Sequence, residues 1–245
     1  MTRIKNGSSL EYHLFFDCDD TLWEEQAILQ RAEKEIEKSI DNHLGIESNF
    51  QKRFIQTEIE NIGSVGFGFS SYFFSLSEAF FSVYAGDLIL KKIFLQKIGK
   101  LIKTVNEFKP PLIDGVKEVL TELLRRGYSL HIITRGASPE QKEKLKNCQI
   151  KDMFTTINVV DSKTSQIYRG LLERYSLHPL NACMIGNSVK SDILPSLDAG
   201  MGSILIPSDV TWGYDNENLD VKNDRFLRLN SFKELLNHFD GTSII

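Results

Sequence analysis

The sequence predicts an α/β protein: a doubly wound parallel, Rossmann-like sheet interrupted by an all-helical insertion. Three observations carry this prediction. A short apolar run, Leu14-Phe15-Phe16, ends abruptly in Asp17-Cys18-Asp19-Asp20-Thr21. Residues 24–108 then follow helical periodicity without an intervening strand pattern. From about residue 129 strand-like and helix-like segments alternate with short connections, the pattern of a parallel sheet covered on both faces.

The opening run has the length and apolarity of a buried strand, and the carboxyl end of such a strand faces the crevice where ligands bind in a parallel sheet. Asp17 and Asp19, two positions apart, can point to the same side. Carboxylates held together repel unless a cation lies between them or one takes up a proton.

In the insertion, Glu24 to His43 reads as helix, with Ile28, Leu29, Ala32, Ile36, Ile40 and Leu44 at helical spacings. The longest apolar region, Phe67 to Leu90, contains Glu78, Asp87, glycines and five serines, which is too interrupted for a membrane span. Pro110-Pro111 marks the return to the core, because each proline pushes the residue before it out of helical geometry. The helix from Gly115 to Arg126 stops at Gly127.

The alternation then runs strand Ser129–Thr134, helix Pro139–Lys146, strand Phe154–Val160, helix Thr164–Tyr175, strand Ala182–Ile185, helix Ile193–Ala199 and strand Ser203–Ile206. Arg225–Leu229 reads as an edge strand, and Ser231–Phe239 as a helix capped by Ser231. The expected division is an α/β core of residues 1–23 and 109–245 and a helical domain of residues 24–108.

Composition narrows the function. A chain of 245 residues can bury roughly 70–75% of its unfolded surface. The net charge is -4, and the lysines and arginines form no stripe interleaved with aromatics, which argues against nucleic-acid binding. Cys18, Cys148 and Cys183 are an odd number with no Cys-x-x-Cys spacing, so neither a disulfide framework nor structural zinc is expected. Arg3 and Lys5 are followed by Asn6-Gly7-Ser8-Ser9 rather than by a secretory apolar core. The expectation is a reducing, cytoplasmic compartment with no membrane partner, and a monomer or homodimer.

The later strands also finish in residues suited to an anionic ligand. Ile132-Ile133 ends in Thr134; Lys163 follows Val159-Val160-Asp161; Cys183-Met184-Ile185 runs into Gly186-Asn187-Ser188 and on to Asp192. In a parallel sheet all these ends lie along one edge, so Asp17, Asp19, Thr134, Lys163, Asn187 and Asp192 can converge.

With those residues in that order, and a large helical insert between the first two groups, the chain resembles the haloacid dehalogenase superfamily, in its phosphatase branch with a helical cap after the first motif. The resemblance rests on Asp17-x-Asp19-x-Thr21, Thr134, Lys163, and Gly186-Asn187-Ser188 with Asp192. It implies that Asp17 attacks a phosphoryl group and becomes an aspartyl-phosphate. Asp19 would protonate the leaving oxygen and then activate the hydrolytic water. Thr134 and Lys163 would donate to the phosphoryl oxygens, with Arg135 and Gly136 beside them at the substrate. Mg²⁺ would bind to Asp17, Asp192 and the main-chain carbonyl of Asp19. Asn187, an aspartate in many relatives, leaves an amide oxygen as ligand or outer-sphere partner. Asp20 replaces a common glycine and is assigned to hydrogen-bonding of the turn.

Dehalogenases and phosphonate-cleaving relatives lack an acid at the position of Asp19, so its presence favours phosphate esters. The implied substrate is a small phosphorylated metabolite. Alternatives that share the motifs are a phosphomutase and a non-catalytic relative whose cap binds protein. A response-regulator receiver fits poorly in length and motif position. The stretch Gly63–Tyr72 is expected to bring Phe67 and Phe69 over the substrate. Lys151 competes with Lys163 as the basic residue. Cys18 reads as a packing residue, His13 and His131 as strand residues rather than catalysts, and residues 211–223 as a loop near the site.

Overall fold

The structure is a computed structural model that describes residues 11–107, 109–210 and 221–240. Six strands form one parallel sheet: β1 His13–Phe16, β2 Ser129–Arg135, β3 Thr156–Val160, β4 Ala182–Gly186, β5 Gly202–Leu205 and β6 Phe226–Arg228, in the order β3-β2-β1-β4-β5-β6. β1 pairs with β2 on one side and β4 on the other, with Phe16 level with Ile132 and Ile185. The chain order of the strands reverses at β1, which makes the carboxyl end of β1 the topological switch point where α/β sheets open a ligand crevice. Asp17 follows directly.

Alternating side chains on β1 face the two layers of the core. Leu14 and Phe16 pack with Val116, Val119, Leu120 and Leu123 of α5 (Val116–Arg125) and with Leu145 of α6 (Ser138–Asn147). Phe15 faces Tyr168, Leu171 and Leu172 of α7 (Ser165–Arg174). The last α-helix among the described residues, α8, spans Leu194–Asp198. It is entered through a π-helical turn, Val189–Ile193, rather than beginning at Ile193 as expected.

The segment predicted as a capped helix near the end is a 3₁₀-helix, Phe232–Asn237, and Ser231 makes no cap bond there. Its hydroxyl lies 3.4 Å from Glu234 Oε1. Phe232, Leu235 and Phe239 are buried under the sheet, and the tighter i→i+3 winding brings positions 232 and 235 onto one face.

Between β1 and α5 lie α1 Gln26–Leu44, α2 Phe50–Val65, α3 Phe69–Tyr84 and α4 Leu88–Asn106. They bury a cluster of their own, including Ile36, Ile40, Phe50, Phe54, Leu76, Phe80 and Phe94, with Phe80 and Phe94 stacked at 3.9 Å between ring centres. The insertion is tied back to the sheet by short backbone bonds, Glu24 N to Pro111 O (3.0 Å) and Ile113 N to Leu22 O (3.0 Å). Residue 108, at the expected boundary, and positions 211–220 of the expected site loop lie outside the described residues. Among the described residues no helix is long and apolar enough to cross a membrane.

Candidate active site

The backbone fixes Asp17 first. Its N–H donates to Ile185 O at 3.0 Å, extending the β1–β4 ladder one residue past the strand. The chain then turns: Thr21 N and Leu22 N both donate to Cys18 O, and Asp20 takes a left-handed conformation with φ 58°. Aspartate tolerates that region better than most side chains. Asp20 also accepts from Glu25 N and Gln26 N at 3.0 Å each, so it satisfies the first amides of α1 from outside the helix. The turn role expected for Asp20 is met by these bonds.

Lys163 lies just before Thr164, whose hydroxyl accepts from Ile167 N and caps α7. The Lys163 ammonium is buried and bonds to Asp17 Oδ1 and, at 2.6 Å, to Asp192 Oδ1. Lys151 belongs to an exposed 3₁₀ turn. Asp192 Oδ2 accepts from Ser188 N at 3.0 Å, so Asp192 closes the loop after β4 rather than capping the following helix. Only glycine fits at Gly186, where a Cβ would overlap the Asp192 carboxylate. Asn187 joins the group through Thr21, whose hydroxyl lies 3.2 Å from both Asp17 Oδ2 and Asn187 Oδ1.

Asp19 lies in the same cavity wall but its carboxylate is held elsewhere. Oδ1 accepts from Trp23 Nε1 at 2.8 Å and Lys144 Nζ at 3.0 Å, and Oδ2 accepts from Gln141 Nε2 at 2.7 Å. The Thr134 hydroxyl is buried, with no hydrogen-bond partner among the described residues. Thr134 is not in the cavity wall, whereas Arg135 and Gly136 are. Arg135 Nη1 donates to Ser191 Oγ at 3.0 Å, and the guanidinium lies 4.1 Å from the centre of the Phe67 ring. Phe67 and Phe69 enter the wall from the insertion. The cavity they help enclose has a volume of about 150 Å³.

These environments separate the carboxyls electrostatically. Burial raises Asp17 to about 6, against the opposing charge of Lys163. Burial also disfavours ionised Asp19, but the Lys144 charge and the three donated hydrogen bonds outweigh it and hold its pKa below the ordinary value. Burial raises Asp20 to about 7. It raises Glu25 well above the usual range, with the neighbouring Asp19 charge adding to the effect. Lys163 is raised to about 12 because Asp17 and Asp192 together outweigh its desolvation.

Among the described residues no group of three or more His, Cys, Asp and Glu is placed to hold a metal. The donors at the sheet rim are instead two carboxylates, Asp17 and Asp192, with the Asn187 amide oxygen. All are hard oxygen ligands, and this set fits Mg²⁺, which keeps several waters and needs only one or two protein carboxylates.

The residues missed in the sequence are Trp23, Glu140, Gln141, Lys144 and Ser191. One signal was present: α6 reads Ser-Pro-Glu-Gln-Lys-Glu-Lys-Leu-Lys-Asn, too polar to bury an ordinary apolar stripe. Its inward positions Gln141 and Lys144 therefore had to find polar partners.

Comparison with known proteins adds independent information. The family model described as haloacid dehalogenase-like hydrolase matches residues 14–206. A glyceraldehyde 3-phosphate phosphatase from Methanothermobacter thermautotrophicus is 27% identical over 207 residues, covering 81% of this chain and 86% of that one. A phosphoglycolate phosphatase from Vibrio vulnificus is 32% identical over 110 residues, 43% of this chain and 46% of that one. A solved haloacid dehalogenase-like hydrolase from Xanthomonas campestris superposes with a TM-score of 0.70 at 24% identity, covering 91% of this chain and 90% of that one. A HAD hydrolase from Bacillus subtilis, solved bound to magnesium, matches with a TM-score of 0.60 at 18% identity over 93% of this chain and 98% of that one.

Proposed function

The chain belongs to the haloacid dehalogenase-like hydrolase family, and we propose that it is a Mg²⁺-dependent phosphatase that hydrolyses a small phosphomonoester through an aspartyl-phosphate on Asp17. The observation that carries this reading is the contact of the Lys163 ammonium with both Asp17 and Asp192, which gathers residues from three separate strand ends at one rim. The names of relatives that act on glyceraldehyde 3-phosphate and phosphoglycolate support a compact phosphorylated metabolite.

In this mechanism the Asp17 carboxylate attacks phosphorus in line, splitting one hard displacement into two easier ones. Lys163 and the buried Thr134 hydroxyl donate to the phosphoryl oxygens as charge builds on them. Asp19, once its carboxylate has taken up a proton against the Lys144 charge, gives that proton to the departing oxygen and then takes one from the water that releases phosphate, a role worth typically about 10²- to 10⁴-fold. Asp17, Asp192, the Asp19 carbonyl and the Asn187 amide would hold Mg²⁺. When bound, the ion supplies positive charge that keeps Asp17 ionised and offsets the phosphoryl charge.

The helical insertion serves as a cap, with Phe67 and Phe69 excluding water and reading the leaving group. The three buried, unbridged cysteines suit a reducing, cytoplasmic setting.

The test is hydrolysis of p-nitrophenyl phosphate with and without Mg²⁺, in the wild type and in Asp17→Asn. Metal-dependent turnover abolished by the substitution supports the reading. Turnover that persists in Asp17→Asn defeats it, as does a wild type inactive on this ester and on phosphorylated metabolites alike.

A further inference from the structure

One face of α6 touches two things at once. Toward the cap, Glu140 Oε2 accepts from Phe69 N at 2.9 Å. Phe69 is the first residue of α3, and the residue before it, Gly68, has no side chain with which to cap the helix. Glu140 therefore supplies from the core the acceptor and negative charge that the start of α3 lacks.

The fit at that point is close. Gly68 has φ +113°, and a Cβ on it would lie 2.9 Å from Glu140 Oε2 and 3.3 Å from Ala137 Cβ. Toward the core, Gln141 and Lys144 donate to the two oxygens of Asp19. Lys144 serves both sides, because its ammonium also lies 4.7 Å from the centre of the Phe69 ring. Positions 140 and 144, four apart, and positions 141 and 144, three apart, are neighbours on a helix surface. A three-turn helix moves as a unit, so these contacts cannot be adjusted separately.

Resting on the phosphatase reading, we propose that α6 is a two-sided clamp: Glu140 grips the cap at Phe69 while Gln141 and Lys144 hold the Asp19 carboxylate, so that seating the cap places the general acid. Gln141, Lys144 and Glu140 are thus positioning residues. Asp19 retains a face on the cavity, and the clamp fixes where that face points. A misplacement of about 1 Å in such a group can cost about 10²-fold in rate.

The readout that separates positioning from mere structural support is the leaving group. Nitrophenolate departs without a proton, whereas an alkoxide needs one. The specificity constant kcat/KM reports only the steps through leaving-group release. It is measured with Mg²⁺ on p-nitrophenyl phosphate and on whichever of glycerol 3-phosphate, phosphoglycolate and glyceraldehyde 3-phosphate the wild type turns over best. The variants are Glu140→Ala, Gln141→Leu, Lys144→Met and Lys144→Arg.

In the first three, kcat/KM on the alkyl ester should fall at least about tenfold further than on the nitrophenyl ester, with Lys144→Arg recovering part of the loss. If Lys144→Met does not fold, Glu140→Ala and Gln141→Leu carry the same comparison. Equal losses on both esters overturn the clamp and leave the phosphatase reading intact. A gain on the alkyl ester also overturns it, because the contacts would then be holding Asp19 back. A wild type inactive on every ester brings down the phosphatase reading and the clamp with it.

Discussion

The ammonium of Lys163 touches the carboxylates of both Asp17 and Asp192, and all three side chains are buried. Two acids this close at the end of a buried strand would repel without the intervening cation. Lys163→Met leaves them uncompensated and should destabilise the fold by roughly 3–5 kcal/mol. Activity should fall at least about 10²-fold, since the proposed donor to the phosphoryl oxygens is lost. Adding Asp192→Asn should recover part of the stability and none of the activity. Urea denaturation of the two variants checks this; a double variant no more stable than Lys163→Met contradicts it.

Asp20 acts through its acceptors and its left-handed backbone. Asp20→Asn keeps both and should shift stability by less than about 0.5 kcal/mol. Asp20→Ala loses the capping bonds and adds left-handed strain, for a cost of about 2–3 kcal/mol. Thermal unfolding of the pair distinguishes this from a purely electrostatic role, in which both substitutions behave alike.

His131 gives the fold an acid-sensitive point away from the site. Burial is the main cause of its lowered pKa, about 4, with the neighbouring His13 adding to it. Its ring lies 3.1 Å from His13, 2.9 Å from the Thr156 hydroxyl, and stacks on Phe15. A lowered histidine pKa means the unfolded chain binds the proton first. The contribution is full above about 6.5 and is lost as pH falls toward 4, amounting to about 2 kcal/mol after discounting for partial solvent screening. Urea midpoints at pH 7 and pH 4.5 should therefore converge more in His131→Gln than in the wild type. An unchanged gap excludes His131 as the cause.

Phe67 and Phe69 reach the cavity from the insertion. Replacing either with Ala should alter the ranking of substrates in a panel of phosphorylated metabolites more than the rate on p-nitrophenyl phosphate. For Phe67 the lost contact with Arg135 costs about 0.5–1 kcal/mol. Parallel losses on all substrates, tracking a lower melting temperature, would show that the rings merely pack.

The sheet was legible because each buried strand ended at a change from apolar to polar residues, and the reversal at β1 follows from where those ends must meet. Asp17, Lys163 and Asp192 were likewise readable from order and type. Thr134 kept its strand-end position, with its hydroxyl buried behind the residues that line the cavity. The grip on Asp19 was not legible. Its donors, Trp23, Gln141 and Lys144, come from a turn and from a helix with no apolar stripe, where periodicity carries no information about what a polar side chain meets. The 3₁₀ winding at Phe232–Asn237 was hidden for a related reason: spacings of three and four fit either helix over so short a stretch.

The most direct test of phosphoryl transfer to Asp17 is chemical trapping. Acid-quenching the enzyme during turnover and reducing it with borohydride converts an aspartyl-phosphate to homoserine, which peptide mass spectrometry locates. Homoserine at position 17, dependent on substrate and Mg²⁺, is the predicted result. Turnover with residue 17 unmodified and the adduct on another side chain, or on none, would contradict it.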